Sequence, residues 1–185
     1  MALREGLPGT IYRKDYEAPD FGVNTVELLV QIEQGRTCVT ATLDLIRRTA
    51  GGRPLKLDGE ALDLQWVELD GARLDSTQYQ IESGQLVIQS VPNECTLRTC
   101  VEICPEENTS LEGFYRSQSA YCTQCEAEGF RKITYFPDRP DVLAVYTVTL
   151  EASSEACPVL LSNGNLVSEE KLQDGRQRAV WHDPF

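Results

Sequence analysis

The chain has 185 residues, of which 41% are hydrophobic and 25% are charged, and its formal net charge is −12. This length and composition are typical of one globular domain. The acidic balance argues against a nucleic-acid-binding surface and against an anionic membrane surface, because both need basic residues. We therefore expect neither a nucleic acid nor a membrane as a partner.

Apolar runs and cysteines in the sequence bear on the cellular compartment. There is no run of 18 apolar residues, and the first residues lack the apolar core of a signal peptide. The seven cysteines are odd in number and follow no disulfide framework. Because reduced thiols fit a reducing compartment, we expect a cytoplasmic protein.

Hydrophobic and polar residues alternate along much of the chain, which predicts β-strands with one buried face. Val26, Leu28, Val30 and Ile32 occupy every second position, and residues 39–45 repeat the pattern after Gln34-Gly35. We predict that these two runs form a long hairpin.

Further turn signals and strand-like runs follow. The turn signals are Asp58-Gly59, Asp70-Gly71, Ser83-Gly84 and Asn163-Gly164-Asn165. The strand-like runs are residues 79–82, 85–90, 95–103, 143–151, 159–162 and 176–182. Many short strands between frequent turns predict an antiparallel all-β fold, a sandwich or a barrel.

One short helix is predicted near residues 126–132. Thr123 and Glu126 have the spacing of a capping box, in which each side chain satisfies a free backbone amide of the first helical turn. In this interpretation the Glu126 carboxylate serves the fold alone.

A resemblance to a known family is carried by residues 121–141, which include Gln124-Cys125-Glu126. This stretch resembles the segment of the aminopeptidase N family, zinc metallopeptidases of the gluzincin group, in which a Gln-x-Glu tripeptide meets the amino terminus of the substrate. Similar runs occur at residues 10–16, where the family has its opening strand, and at 111–117, 158–165 and 181–185. The resemblance therefore extends over nearly the whole chain.

The resemblance implies that residues 1–185 are the single, saddle-like N-terminal β domain of a larger aminopeptidase. That enzyme would hydrolyse N-terminal residues from peptides with a zinc ion bound by a His-Glu-x-x-His helix. This sequence has one histidine, His182, and no such motif. We expect the catalytic zinc domain to be absent, zinc to be the cofactor of the full-length enzyme only, and the fragment alone to be inactive.

The same resemblance implies that Gln124 and Glu126 bind the substrate, with no catalytic residue and no metal ligand in this chain. The expected partners are the amino terminus of a peptide and the catalytic domain of the same polypeptide. We further expect Tyr121, Phe130 and Phe136 to lie exposed on the face that packs against that domain.

Two alternatives stay open. Cys100, Cys104, Cys122 and Cys125 could form a structural zinc site, although residues four apart on a strand lie roughly 13 Å apart. The chain could also be a non-enzymatic interaction module with the same architecture. Of the remaining charged residues, we expect Arg131 and Lys132 to be solvated and Arg139 to anchor a loop.

Overall fold

The computed structural model describes residues 12–184, and these form three β-sheets with almost no helix. The predicted all-β fold is confirmed. The strands are β1 (Phe21–Glu33), β2 (Arg36–Arg47), β3 (Leu55–Asp58), β4 (Asp63–Leu69), β5 (Ala72–Arg73), β6 (Gln80–Glu82), β7 (Gln85–Ile88), β8 (Glu94–Ile103), β9 (Gly113–Ser117), β10 (Ala120–Gln124), β11 (Val145–Ser153), β12 (Asn165–Lys171) and β13 (Arg176–Asp183).

The largest sheet has eight strands in the order β12-β13-β11-β1-β2-β8-β4-β5. A three-stranded sheet has the order β3-β7-β6, and β9 and β10 form a two-stranded sheet. One cluster of buried hydrophobic side chains draws on β1, β2, β4 and β8 of the large sheet and on β3 and β7 of the small one. The main core therefore includes the inner faces of both sheets.

The predicted long hairpin is confirmed by β1 and β2, with Val26 opposite Leu43 and Val30 opposite Val39. The alternating apolar positions of both strands are buried on one face, as the sequence pattern indicated. Because this face carries most of the core of the large sheet, a one-residue slip in register would expose it.

Besides Gln34-Gly35 between β1 and β2, two further predicted turns are confirmed. Ser83 and Gly84 join β6 to β7 with φ angles of 52° and 75°, and Asp70 and Gly71 join β4 to β5 with φ angles of 50° and 79°. Positive φ at both central residues is the conformation whose twist matches a two-residue hairpin. Asp58-Gly59, in contrast, is not a hairpin turn, because Asp58 ends β3 and bridges to Phe136.

The large sheet is mixed rather than purely antiparallel. β1 pairs with β11 in parallel, from Thr25 opposite Val145 to Gln31 opposite Glu151. A period of two residues is the same in both kinds of ladder, so the sequence pattern could not indicate strand direction.

The predicted helix at residues 126–132 is wrong. Thr123 lies on β10 opposite Phe114, residues 126–129 form a turn, and only Phe130–Lys132 form one turn of 3₁₀ helix without a side-chain cap. The capping box cannot form because a strand residue does not occupy the cap position.

Two segments differ from the predicted secondary structure. The predicted strand at residues 159–162 is a loop, and the strand of this region is β12. Within the similar run at residues 10–16, Arg13–Asp15 form a 3₁₀ helix rather than a strand. Residues 10, 11 and 185 of the matched runs lie outside the described residues. No helix within residues 12–184 is long and apolar enough to cross a membrane.

Candidate functional site

The structure brings Gln124 and Glu126 together at one end of the two-stranded sheet. Gln124 is the last residue of β10 and pairs with Gly113, the first residue of β9. Its side-chain amide donates a hydrogen bond to the backbone carbonyl of Glu126 over 3.2 Å. Both side chains are exposed, and the peptide bond between Glu126 and Ala127 is cis. The two predicted site residues therefore lie close together, Gln124 at the end of β10 and Glu126 at the start of the turn that follows.

The Glu126 carboxylate has no partner in the part of the chain that the structure describes. No hydrogen bond or ion pair from any other residue between 12 and 184 reaches it, and Thr123 points from a strand instead of capping a helix. The interpretation of Glu126 as half of a capping box is therefore wrong. An exposed, unpaired carboxylate can accept charge-assisted hydrogen bonds from a cation that arrives from outside.

The backbone beneath the turn is closely packed. The Gly129 N–H donates to the Cys125 carbonyl over 2.8 Å. A Cβ atom on Gly129 would lie 2.4 Å from the Gln124 carbonyl oxygen and 2.8 Å from the Cys125 Cα. Gly113 faces the same region with a φ angle of 73°, and a Cβ there would lie 2.5 Å from the Lys132 Cβ. Glycine at these two positions lets the turn lie directly against β9.

Ion pairs hold the residues that follow the turn. Arg131 donates from its backbone N–H and its Nε to the Asp138 carboxylate, over 3.1 and 3.0 Å, and from its guanidinium to the Asp138 carbonyl over 2.9 Å. Asp138 is only 7% exposed, so its charge is satisfied by this arrangement rather than by water.

Lys132 is held in a similar way. Its ammonium lies 3.0 Å from Glu60 and 3.1 Å from Glu112. Burial alone would lower the pKa of Lys132, but the hydrogen bonds to these two carboxylates outweigh it and raise the pKa. The expectation that Arg131 and Lys132 are solvated is wrong, because both anchor the segment. Arg131 also lies 3.6 Å from Glu128, within the turn.

Side chains on the inner side of the turn join the core. Cys125 packs against the main hydrophobic cluster, and burial, with the nearby charge of Asp138, raises the pKa of its thiol to about 11. The Phe130 ring centroid lies 5.0 Å from that of Phe136 and 5.9 Å from that of Tyr146. Packing of Cys125 and Phe130 against the core therefore holds the turn in place, while Gln124 and Glu126 face solvent.

The prediction that Tyr121, Phe130 and Phe136 form an exposed apolar face is wrong for Phe136, which is 3% exposed. Phe130 and Tyr121 are half-buried against the same cluster. Tyr121 stacks on Phe114 at 5.5 Å and donates its hydroxyl to Glu106. Burial and this hydrogen bond raise the pKa of Tyr121 to about 12.

The expectation that Arg139 anchors a loop is confirmed. Its guanidinium donates two hydrogen bonds to Asp141, over 2.8 and 2.7 Å, and one to the Glu17 carbonyl over 2.9 Å. Tyr16 donates its hydroxyl to the same carboxylate over 2.8 Å. The hydrogen bonds from Arg139 and from Tyr16 lower the pKa of Asp141 to about 2.

The four cysteines of the alternative zinc site are not brought together. The Cys100 sulfur lies 3.2 Å from that of Cys38 on the neighbouring strand. Within residues 12–184, no group of three or more His, Cys, Asp or Glu side chains is arranged to hold a metal ion. His182 lies half-buried on β13, with its Nδ1 3.2 Å from the Thr147 hydroxyl.

Sequence reasoning missed the two supports of the turn, Gly113 and Asp138. Asp138 stands within residues 121–141 and between Pro137 and Arg139, but a charge pattern alone does not reveal its burial. Gly113 belongs to the run at residues 111–117. Its positive φ angle and its close contact with Lys132 are visible only in the structure.

Comparison with known proteins agrees with this fold. Residues 26–185 match the family described as Peptidase M1 N-terminal domain, and the chain belongs to that family. It is 45% identical over 178 residues to aminopeptidase N of Escherichia coli, covering 96% of this chain and 20% of that protein. It is also 45% identical over 184 residues to aminopeptidase N of Caulobacter vibrioides, covering 99% of this chain and 21% of that protein.

Solved structures show the same architecture. Aminopeptidase A of Legionella pneumophila, in complex with aspartic acid, superposes with a TM-score of 0.87 at 31% identity. The match covers 92% of this chain and 20% of that one. An M1 zinc metallopeptidase from Deinococcus radiodurans, with a TM-score of 0.71 at 14% identity over 88% of this chain and 39% of its own, shows the fold alone. The chain spans about a fifth of the length of the aminopeptidase N relatives.

Proposed function

We propose that this chain is the N-terminal domain, residues 1–185, of a zinc aminopeptidase that removes N-terminal residues from peptides. In this proposal Gln124 and Glu126 bind the amino terminus of the substrate. The observation that carries it is the exposed Glu126 carboxylate, which has no partner among the described residues although the turn that presents it is firmly held.

An aminopeptidase has to recognise a free α-ammonium group, because that group distinguishes the first residue of a peptide from all others. A charged ammonium leaves water readily only when it is paired with a carboxylate or with several acceptors. Glu126 supplies the carboxylate. Gln124 already donates to the Glu126 carbonyl, so its own side-chain oxygen is left to accept a second hydrogen bond from the ammonium.

The preorganised turn makes this binding effective. Gly129 and the pair of Arg131 with Asp138 fix the backbone on which Glu126 stands, so little conformational freedom is lost when substrate arrives. The negative charge of the chain, −12 overall, also favours the approach of the positive end of a peptide.

Within residues 12–184, no group of three or more His, Cys, Asp or Glu side chains is arranged to hold a metal ion, which supports a zinc site elsewhere in the proposed enzyme. We therefore place it in the domain that follows in the longer polypeptide, where zinc would supply a Lewis acid for peptide hydrolysis. The contribution of this chain is recognition of the substrate's amino end, and the chain alone is inactive.

The test uses the full-length protein that the gene encodes, together with the 185-residue chain. We expect stoichiometric zinc in the full-length protein and hydrolysis of an aminoacyl arylamide with a free amino group. The N-acetylated form of the same substrate should not be cleaved, and the 185-residue chain should cleave neither. A full-length protein without zinc or turnover would instead indicate an interaction module, and equal cleavage of the acetylated substrate would contradict recognition of the ammonium.

A further inference from the structure

A local concentration of positive charge follows the end of β2 in this acidic chain. Residues 47–53 read Arg-Arg-Thr-Ala-Gly-Gly-Arg, with three basic side chains and no acidic one, whereas the whole chain has a net charge of −12. Residues 46–52, together with Asn93 and Glu94, line a cavity of about 370 Å³, which we call the loop cavity. Its lining therefore has two arginines against one carboxylate.

The two arginines of the loop cavity, Arg47 and Arg48, have no carboxylate partner within residues 12–184. Most other arginines of the described chain do have one, and Arg98, for example, lies 2.8 Å from Glu68. Arg48 is exposed, and no hydrogen bond or ion pair within the described residues engages its side chain. Because a guanidinium can donate two parallel hydrogen bonds to one oxyanion, Arg48 is suited to bind an anion.

Arg47 holds the loop closed. Its guanidinium donates hydrogen bonds to the Arg53 carbonyl over 2.9 Å and to the Val91 carbonyl over 3.2 Å, and it lies 4.3 Å from the centroid of the Phe21 ring. The Arg47 Nε is buried and has no partner among the described residues. Neutral groups therefore satisfy Arg47 only in part, and its positive charge is not offset.

Gly22 of β1 positions the Arg48 side chain. A Cβ atom on Gly22 would lie 2.2 Å from the Arg48 Nε and 2.6 Å from its Cζ, so the guanidinium lies directly against the glycine backbone. Gly22 pairs with Ile46, which lines the loop cavity. Since Arg48 already rests on the sheet beside the cavity, little side-chain freedom is lost when a ligand binds.

Backbone amides add donors to the loop cavity. The N–H groups of residues 49–52 donate no hydrogen bond to any described residue. Gly51 and Gly52 have φ angles of 124° and 61°, and a Cβ atom at either position would contact nothing within 4 Å. These glycines are therefore needed for backbone conformation rather than for packing. Successive N–H groups in a turn of this kind form a concave site that binds anions.

Two carboxylates oppose an anion here, and their effect is limited. Asp20 accepts a hydrogen bond from the Thr49 hydroxyl and lies 3.7 Å from Arg53, which offsets its charge. Glu94 is exposed, so water and salt screen its charge. The negative charge of the rest of the chain is also largely screened beyond about 8 Å at physiological ionic strength.

We propose that the loop cavity binds a phosphate group, either as inorganic phosphate or as the phosphate of a phosphomonoester. Arg48 supplies paired donors, the amides of residues 49–52 supply further ones, and Arg47 adds a second positive charge. A cavity of about 370 Å³ is within the size range of small-molecule sites, so it has room for the organic part of a small ester. The inference goes beyond the proposed function and does not depend on peptidase activity.

The test is isothermal titration calorimetry of the full-length protein with inorganic phosphate and with glycerol 3-phosphate, at constant ionic strength. We expect saturable binding, and Arg48→Gln should weaken it at least about tenfold, because a charge-assisted contact is lost. The matched control is Arg73→Gln, which removes the same charge from β5, where Arg73 also has no carboxylate partner among the described residues. This control should leave the Kd nearly unchanged.

The two probes also identify the source of the phosphate group. Tighter binding of glycerol 3-phosphate indicates a phosphomonoester, and equal or tighter binding of inorganic phosphate indicates the free ion. Hydrogen exchange followed by mass spectrometry locates the site, since the bound probe should slow exchange of the amides of residues 49–52 in wild type but not in Arg48→Gln.

Three results would overturn the proposal. They are the absence of saturable binding, a Kd of Arg48→Gln that is unchanged or that rises no more than that of Arg73→Gln, and slowed amide exchange only outside residues 46–53. Peptidase activity is measured separately on the same samples. Loss of phosphate binding with normal turnover, or the reverse, therefore distinguishes this site from the proposed function.

Discussion

Charged residues close to one another in this chain serve two different purposes. Arg131, Lys132 and Asp138 are partly or fully buried and are paired with one another or with nearby carboxylates. Glu126 is exposed and has no partner within residues 12–184. The first group stabilises the segment, whereas Glu126 contributes little to the fold and remains available to a ligand. This contrast is the reason that we assign a binding role to Glu126 rather than to its charged neighbours.

The hydrogen bonds from Arg139 and Tyr16 to Asp141 lead to a prediction about how stability depends on pH. Its pKa in the folded chain is about 2, below the ordinary value of 3.8. The stability that this carboxylate contributes is therefore present above about pH 4 and is lost as the pH falls towards 2. Asp141→Asn should lower the melting temperature of the 185-residue chain at pH 6, and the difference from wild type should shrink towards zero near pH 2.

The matched control is Glu155→Gln, which removes an exposed carboxylate that has no hydrogen bond or ion pair with any other described residue. It should leave the melting curves unchanged across the same pH range. If the difference in melting temperature between Asp141→Asn and wild type stays constant from pH 6 to pH 2, the charge of Asp141 does not cause it. The substitution would then act through altered packing or hydrogen bonding.

At the scale of elements, the close packing around Gly129, the last residue of the turn at residues 126–129, leads to a prediction about substitution. Gly129 has a φ angle of −93°, which any residue adopts, so an alanine there is opposed only by contact. That contact is with backbone atoms of Gln124 and Cys125, which cannot rotate away. Gly129→Ala should lower the free energy of unfolding by about 1–3 kcal/mol and displace Glu126, with a fall in kcat/KM of the full-length enzyme.

Gly35→Ala separates these two effects. Gly35 has a φ angle of 80° and open space around its Cα, so alanine there costs about 1–2 kcal/mol of backbone strain. It lies in the turn between β1 and β2 and should leave kcat/KM unchanged at a similar loss of stability. A fall in kcat/KM of equal size in both variants, measured well below their melting temperatures, would refute the special role of Gly129.

The elements that sequence analysis predicted well are those whose partners are close in the chain. The hairpin of β1 and β2 and the turn at Ser83-Gly84 follow from local alternation and from residues that accept positive φ angles. The parallel pairing of β1 with β11 depends on strands more than 100 residues apart, and local alternation carries no information about it.

The incorrect helix at residues 126–132 has a similar explanation. Thr123 and Glu126 have capping-box spacing, but Thr123 is already paired with Phe114 on β9. Tertiary pairing overrides a local signal of this size. For the same reason the sequence could indicate Gln124 and Glu126 as a site, through a family resemblance, but not the buried ion pair of Arg131 with Asp138 that supports them.

At the scale of the whole molecule, the domain has a feature that its own fold does not use. The carboxylate of Glu126 has no partner among residues 12–184. This is accounted for if the chain works as one part of a longer peptidase, with Glu126 facing a substrate.

The most direct test of this account compares Glu126→Gln with Glu128→Gln in the full-length enzyme. Both variants remove one exposed carboxylate from the same turn, but Glu128 lies near Arg131, whereas Glu126 has no partner among the residues that the structure describes. Loss of a charge-assisted contact is worth about 1.5–3 kcal/mol, so kcat/KM for a free aminoacyl substrate should fall about ten- to a hundredfold for Glu126→Gln. Its melting temperature should stay close to wild type, and Glu128→Gln should change neither quantity. Unchanged kcat/KM together with a clear loss of thermal stability in Glu126→Gln would contradict the account.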